Sequence, residues 1–412
     1  MSAGSGFRSI AGALRHRDFG LYTAGNVVSL IGTWMQRVVT GWLIWELTGS
    51  GLWLGLVAFA DLFPTVVLGP FAGALADRMD RLKLTKITQF LAMLQALALF
   101  GLTATGLITP LLLILLTTFL GIVAAFNQPA RLALIPALVP RSELPTAVAL
   151  NAVVFNLARF IGPAVAGILI ASGGVPLAYA ANALTFVIFL VLLARISATQ
   201  EEQALKSGSG FMRDLADGIR YTFTDVGIAT VLLLLIASNV GARPLIELLP
   251  GFAAEVFRSG ASGLAILTSS VGVGAILAGL WLGGRPQGKG LSRILLGSTI
   301  LVAISAALFT FSDRMVVGIP LLVVTGFAMA TSGVAAQTLI QIAVDPAMRG
   351  RVLSIYGILF RGGPALGALV MGAASERFGL QLPILWGSVA VLAIALWALA
   401  RRRADLRKLE RN

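Results

Sequence analysis

Apolar runs of about twenty residues or more recur along the chain, each closed by glycine, proline or a burst of charge. That is the length a helix needs to cross a hydrocarbon core of about 30 Å. Twelve such helices are predicted, near 19–47, 51–74, 83–105, 108–129, 144–172 and 175–196, then near 226–250, 260–284, 291–312, 315–340, 349–375 and 379–401. None of the runs alternates apolar and polar residues over about ten positions, as a membrane barrel strand must. Between the sixth and seventh runs, 197–225 turns polar, with Gln200-Glu201-Glu202-Gln203 and then Lys206-Ser207-Gly208-Ser209-Gly210, a linker composition. The linker ends in Phe211, Leu215 and Ile219 at four-residue spacing, with Arg213, Asp214, Asp217 and Arg220 between them. This is the pattern of an amphipathic helix, either lying on a membrane surface or packed on the protein.

Composition sharpens the class. Of 412 residues, 57% are hydrophobic and 12% charged, and the mean hydropathy is +0.91; soluble domains carry about 25% charged residues. An all-α polytopic membrane protein follows, with twelve transmembrane helices in two pseudo-symmetric six-helix bundles. The expected divisions are 1–196, a linker at 197–225, and 226–412 with a basic tail. An internal repeat supports the halving. Gly162-Pro163-Ala164, closely preceded by Arg159, matches Gly363-Pro364-Ala365, preceded by Arg361. Gln128 before Arg141 is echoed by Gln337 before Arg349, and Gly73 by Gly283, each offset by about half the chain. Two halves related by an axis along the membrane normal form a transporter architecture with the substrate between them near the midplane.

The net charge of +13 fits a membrane topology. With twelve spans and an inside N-terminus, 24 of the 31 Lys and Arg fall in inside segments, and four (Arg243, Arg258, Arg314, Arg377) fall outside. Both termini are thus expected in the cytoplasm. No segment is long enough to form the folded basic domain that nucleic acid would require. Arg8, Arg15 and Arg17 precede a first apolar span too long for a signal core, so it is expected to stay as the first helix. Cysteine is absent and His16 is the single histidine, which removes disulfides, thiolate metal sites and a His-based catalytic cluster. No cofactor and no enzymatic role is expected.

Ionisable residues inside spans carry the sharper signal, since a charge near the bilayer centre costs at least about 2.5 kcal/mol and usually faces a cavity or a partner. Arg37, Asp61, Arg159 and Arg361 qualify, while Arg243, Glu247 and Glu46 lie nearer the outer ends. Asp61, the one acid well inside a span, is either a proton carrier or half of a fixed ion pair. The arginines are either structural or contacts for an anionic substrate. Gly162, Pro163, Gly167, Gly363, Pro364 and Gly367 remove bulk and bend helices, for packing or as hinges. The run Gly283-Gly284-Arg285-Pro286-Gln287-Gly288-Lys289-Gly290 approaches a phosphate-binding loop, but it lacks the final Ser or Thr and follows a membrane span.

Four stretches carry a resemblance: Gly32-Thr33-Trp34-Met35-Gln36-Arg37 through Trp42 to Ser50; the charged loop Gly73-Ala74-Leu75-Ala76-Asp77-Arg78-Met79-Asp80-Arg81-Leu82-Lys83; Asn127-Gln128-Pro129-Ala130-Arg131; and Asn156 through Arg159, Gly162 and Pro163 to Gly167. Together they resemble the major facilitator superfamily, and within it the bacterial branch that includes the enterobactin exporter. The loop departs from the superfamily signature in having Asp80 where glycine is usual. Ala158 and Ala166 replace two glycines of the antiporter signature that the glycine–proline segment resembles. The resemblance implies a proton-coupled exporter of a small organic molecule such as a siderophore, acting as a monomer by alternating access. An antibiotic or multidrug efflux pump is the rival, and a non-transporting scaffold the reading from another class. It also implies that Gly73, Asp77, Arg78, Arg81 and Lys83 form a gating loop, with Asp77 facing the helix start near Met348–Gly350.

Overall fold

The computed structural model describes residues 12–197, 211–285, 290–346 and 348–410; the side chains of 70, 74, 76–78 and 211–215 lie outside that description. The long elements are all helical. They are α1 (Arg17–Thr48), α2 (Gly51–Arg78), α3 (Arg81–Ala104), α4 (Pro110–Leu134) and a continuous stretch Leu144–Ala194. Then follow α7 (Phe211–Thr224), α8 (Val226–Gly241), α9 (Leu245–Gly251), α10 (Gly260–Gly283), α11 (Leu291–Thr310), α12 (Met315–Ala343), α13 (Arg349–Phe378), α14 (Gln381–Arg401) and the short α15 (Arg403–Lys408).

Among the described residues, eleven stretches are long and apolar enough to cross a membrane. One of them, Leu144–Ala194, has 51 residues, roughly 75 Å of helix and more than twice a bilayer core. It is two spans. Gly173 (φ −153°, ψ 15°) and Gly174 (φ 75°, ψ −177°) break the helical backbone, and a left-handed φ such as that of Gly174 is open chiefly to glycine. The limbs are α5 (144–172) and α6 (175–194), which brings the spans to twelve.

The chain divides into two compact units. One comprises Met1–Leu43 and Val67–Lys206; the other comprises Ile44–Val66 and Ser207–Asn412. The second unit therefore takes in the end of α1 and the first half of α2. Glycines explain this attachment. A Cβ on Gly55 would lie 2.4 Å from the Ala368 carbonyl oxygen, and one on Gly372 would lie 2.3 Å from that of Gly51, so α2 and α13 touch backbone to backbone. At the start of α2, the Ser50 hydroxyl (2.7 Å) and the Leu52 N–H (3.1 Å) donate to Glu376 Oε1. A carboxylate is well placed at a helix N-terminus, whose first N–H groups lack partners.

In the first unit, uncharged polar side chains tie the helices. Gln36 Nε2 donates to Gln95 Oε1 at 2.9 Å, Asn182 donates to Gln36, and Gln95 reaches the Leu116 carbonyl at 3.2 Å. Ser29 donates to Gln89 at 3.1 Å, and Thr40 pairs with Tyr179 at 3.1 Å. Such pairs are worth about 0.6–2 kcal/mol each in a membrane setting. His16 Nε2 lies 3.1 Å from Glu143 Oε2.

In the second unit, α7 lies along α13. A Cβ on Gly218 would meet Arg351 Cβ and Ile355 Cδ1 at 3.1 Å, and Asp217 pairs with Arg351 at 3.3 Å. Thr222 is buried while Ile219 and Phe223 face outward, beside an apolar groove of about 430 Å³ between α7, α8 and α13. The tail beyond α14 turns back onto this unit, burying Leu406 and Leu409. Its Glu410 carboxylate accepts the N–H groups of Gly290 (3.1 Å) and Ser292 (2.6 Å) at the start of α11.

Candidate functional site

In the first unit, Arg37 on α1 and Arg159 on α5 flank one indole, at 5.6 and 5.5 Å from the Trp34 ring. A guanidinium over a tryptophan face gains about 0.5–2 kcal/mol, which lets two like charges share a small volume. Phe155 meets the same indole edge-on at 5.7 Å. Close approach of α1 and α5 makes this possible, because a Cβ on Gly162 would be 2.6 Å from Trp34 Cβ and 2.9 Å from the Met35 nitrogen. Pro163 and Gly167 follow in the same buried face of α5.

A counterpart lies in the second unit. Arg361 is carried by α13, one turn beyond Gly357. Tyr356 stacks on Phe360 at 5.6 Å and 18°, donates to the Gly333 carbonyl at 3.1 Å, and lies in the field of both Arg243 and Arg361. A Cβ on Gly363 would sit 2.8 Å from Asn239 Cβ, and one on Gly367 would sit 2.7 Å from the Val240 carbonyl oxygen, so α13 presses closely on α8. Pro364 is buried between these glycines. Asp61 lies on the part of α2 that belongs to this unit, between Gly55, packed on Ala368, and Val66, packed on Gly362. Asp61, Arg37, Arg159 and Arg361 each interact with neighbouring groups.

The sequence predicts a span of 226–250 around Arg243. The span holding it runs Val226–Val256, and Arg243 falls at an interruption between α8 and α9. Its cause is legible: Pro244 has no N–H to continue the helix and disfavours the α conformation at the residue before it. The backbone compensates, with Ala242 and Arg243 both donating to the Ser238 carbonyl at 3.1 and 3.0 Å. The Arg243 guanidinium sits 4.9 Å from the Phe360 ring centre. Beside it is a cavity of about 20 Å³ lined by Ser238, Asn239, Arg243, Thr299, Ser332 and Phe360, among others.

Arg131 also moves inward from its expected place beyond the fourth span. The helix α4 continues to Leu134, and Arg131 Nη1 donates to Asn127 at 3.3 Å while its guanidinium lies 5.1 Å from the Phe189 ring. Its Nη2 and the Oδ1 of Asn26 are sealed from solvent with no hydrogen-bond partner among the described residues. Sequence reading named Arg131 only within a motif and set Arg243 aside as nearer an outer end, and it passed over the buried amides. The usable signals were the Gly241-Ala242-Arg243-Pro244 interruption and the Gln and Asn residues within spans.

The charged loop is partly described. Asp77 and Arg78 are helical residues of α2 whose side chains lie outside the description, so the expected contact of Asp77 lies there too. Arg81 Nη1 donates to the Ala133 carbonyl at 3.1 Å. The departure at Asp80 has a physical reason: its carboxylate caps α3 by accepting the Lys83 N–H at 2.9 Å, with an ordinary φ of −58°. A capping acid replaces a glycine turn. A Cβ on Gly73 would meet nothing within 4 Å.

A family model described as transmembrane secretion effector matches residues 9–412. The staphyloferrin A transporter of Staphylococcus aureus (strain NCTC 8325 / PS 47) is 25% identical over 87% of this chain and 90% of its own. Macrolide efflux protein A of Streptococcus pyogenes is 24% identical over 90% and 93%. The enterobactin exporter EntS of Escherichia coli O1:K1 / APEC is 26% identical over 82% and 79%. Among solved structures, the nucleoside transporter NupG superposes with a TM-score of 0.69 at 16% identity, covering 93% of this chain and 98% of that one. A bacterial homologue of the human lysosomal transporter Spinster gives 0.69 at 14%, covering 95% and 96%. At such identities these two speak for the fold alone.

Proposed function

The chain belongs to the transmembrane secretion effector family of the major facilitator superfamily, and from that premise we propose that it exports a small organic anion of the siderophore kind, driven by protons. It sits in the bacterial cytoplasmic membrane with both termini inside and works by alternating access of its two halves. The observation that carries this reading is the pairing of guanidinium groups within spans: Arg37 and Arg159 around Trp34, and Arg243 and Arg361 within range of Tyr356. Charges held at such cost are useful where an anion must pass.

Asp61 is the proton carrier in this reading, an acid the sequence places well inside the second span. The contact of α2 with α13 around Gly55 and Glu376 is one that opens and closes during transport, and the loop with Gly73, Asp77, Arg78, Arg81 and Lys83 acts as the opposing latch. The siderophore-transporting relatives support the substrate class. The macrolide efflux relative supports a second reading, expulsion of foreign drugs, for which intramembrane arginines offer little.

Deleting the gene under iron limitation and comparing metabolites inside and outside the cells tests the proposal. A carboxylate or catecholate chelator should accumulate inside the deletion strain. Unchanged chelators together with raised macrolide sensitivity would favour drug efflux, and a chelator left outside would reverse the direction.

A further inference from the structure

The groove between α7, α8 and α13 is a hollow in an apolar surface, and its lining states what it can hold. Ile219, Phe223, Leu232, Leu233, Ile355 and Leu359 are among its walls. Among the described residues that line it, only Thr222 carries a hydroxyl, which donates to the Gly218 carbonyl at 2.9 Å. A guest that carried polar groups into the hollow would leave them unpaired, a cost that selects against it. A space of about 430 Å³ takes about twelve methylene groups, each near a water molecule's share of the liquid, about 30 Å³. An alkyl chain meets both conditions, and the bilayer around the spans is a ready source of one.

The lip of the groove adds a charge. At 14 residues α7 is too short to be a span, and its outer edge is apolar, with Ile219 44% and Phe223 78% exposed. Arg220 is exposed on the flank of that edge, about 60° round the helix from Phe223 at 3.6 residues per turn. The neighbouring acids are engaged elsewhere. Asp217 pairs with Arg351 at 3.3 Å, and Asp225 accepts the N–H groups of Gly227 (2.7 Å) and Ile228 (3.1 Å). A bare apolar edge flanked by an arginine suits a helix lying at a membrane surface, where the cation attracts anionic headgroups.

We infer that this groove binds one anionic phospholipid of the surrounding bilayer: an acyl chain lies in the hollow among Ile219, Phe223, Leu232 and Ile355, and Arg220 at the lip meets the negatively charged headgroup. The inference needs only the membrane location of the chain and is independent of the export reading.

Native mass spectrometry of the purified full-length chain in detergent, with equal amounts of phosphatidylglycerol and phosphatidylcholine bearing the same chains, reads the occupancy. After mild activation strips loosely held lipid, the parent should retain one phosphatidylglycerol in preference to phosphatidylcholine. The preference should be about fivefold, the effect of one basic side chain near an anionic lipid. Arg220→Gln should bring the two lipids level while a lipid is still retained. Ala229→Phe, which fills the groove from its α8 wall, should lose the retained lipid of either kind. Glycerol 3-phosphate, a phosphate headgroup without a chain, should not compete. Equal retention by the parent, a preference that survives Arg220→Gln, or a lipid that survives Ala229→Phe in a monodisperse variant overturns the site. Arg220 lies on the surface, so its variant keeps the site testable should Ala229→Phe misfold. A parent dimer that Ala229→Phe breaks would give the groove to a second copy. Retention only after deletion of residues 198–210 would give it to the chain's own linker, and either result overturns the lipid site.

Discussion

Arg37 and Arg159 belong to different helices and share one indole, while Arg131 and Arg243 each lie against a phenylalanine ring. Position along the chain ranks such residues by depth and says nothing of their company. Glu410 makes the same point outside the spans. Burial alone would raise its carboxyl, but the Ser292 hydroxyl, the N–H groups of Ser292 and Gly290 and the charge of Arg293 outweigh that and hold it below the usual carboxylate range. A group with a lowered folded pKa stabilises above its unfolded value, about 4.3 for Glu, and that stability is lost as the pH falls through the folded value. Glu410→Gln should therefore lower stability at neutral pH slightly, by about 1 kcal/mol or less after solvent screening, read as a small drop in melting temperature. The difference from the parent should vanish in acid. A gap that stays constant as the pH falls from neutral through the acid range would contradict the capping account.

The helices depend on two uses of glycine that composition does not separate. Gly174 ends a helix with a left-handed φ, and Gly326 brings α12 against α10, where a Cβ would lie 2.1 Å from the Val271 carbonyl oxygen. A Cβ on Gly297 would meet nothing within 4 Å. Gly326→Leu should thus cost about 1–3 kcal/mol, or prevent folding, by prising the two helices apart. Gly297→Ala should be neutral or stabilising by about 0.5–1 kcal/mol, since it removes only backbone freedom. Thermal unfolding of the purified variants compares them, and equal losses at both sites would refute the packing argument. Pro244 acts oppositely to these glycines, interrupting a span that must nevertheless cross the bilayer.

The chain as a transporter stands or falls on coupling. In proteoliposomes carrying a proton gradient, Asp61→Asn should abolish gradient-driven accumulation of substrate while leaving downhill exchange intact. Retained accumulation would make Asp61 a fixed partner and not a carrier. Much of the molecule was legible in the order of its residues. Run length and hydropathy specified the spans, including the division at Gly173-Gly174 that a continuous helix of 51 residues conceals. Those properties are one-dimensional, because a bilayer imposes the same thickness and the same charge penalty on every helix that crosses it. The division of labour at the site was not legible. That Arg243 stands at a helix interruption beside a polar recess, that Gln36, Gln95 and Asn182 join into one network, and that Asp80 caps a helix in place of a glycine turn all depend on which side chains meet. Hydrogen bonds and ring contacts act over a few ångströms between residues far apart in the chain, so only the packed helices could assign them.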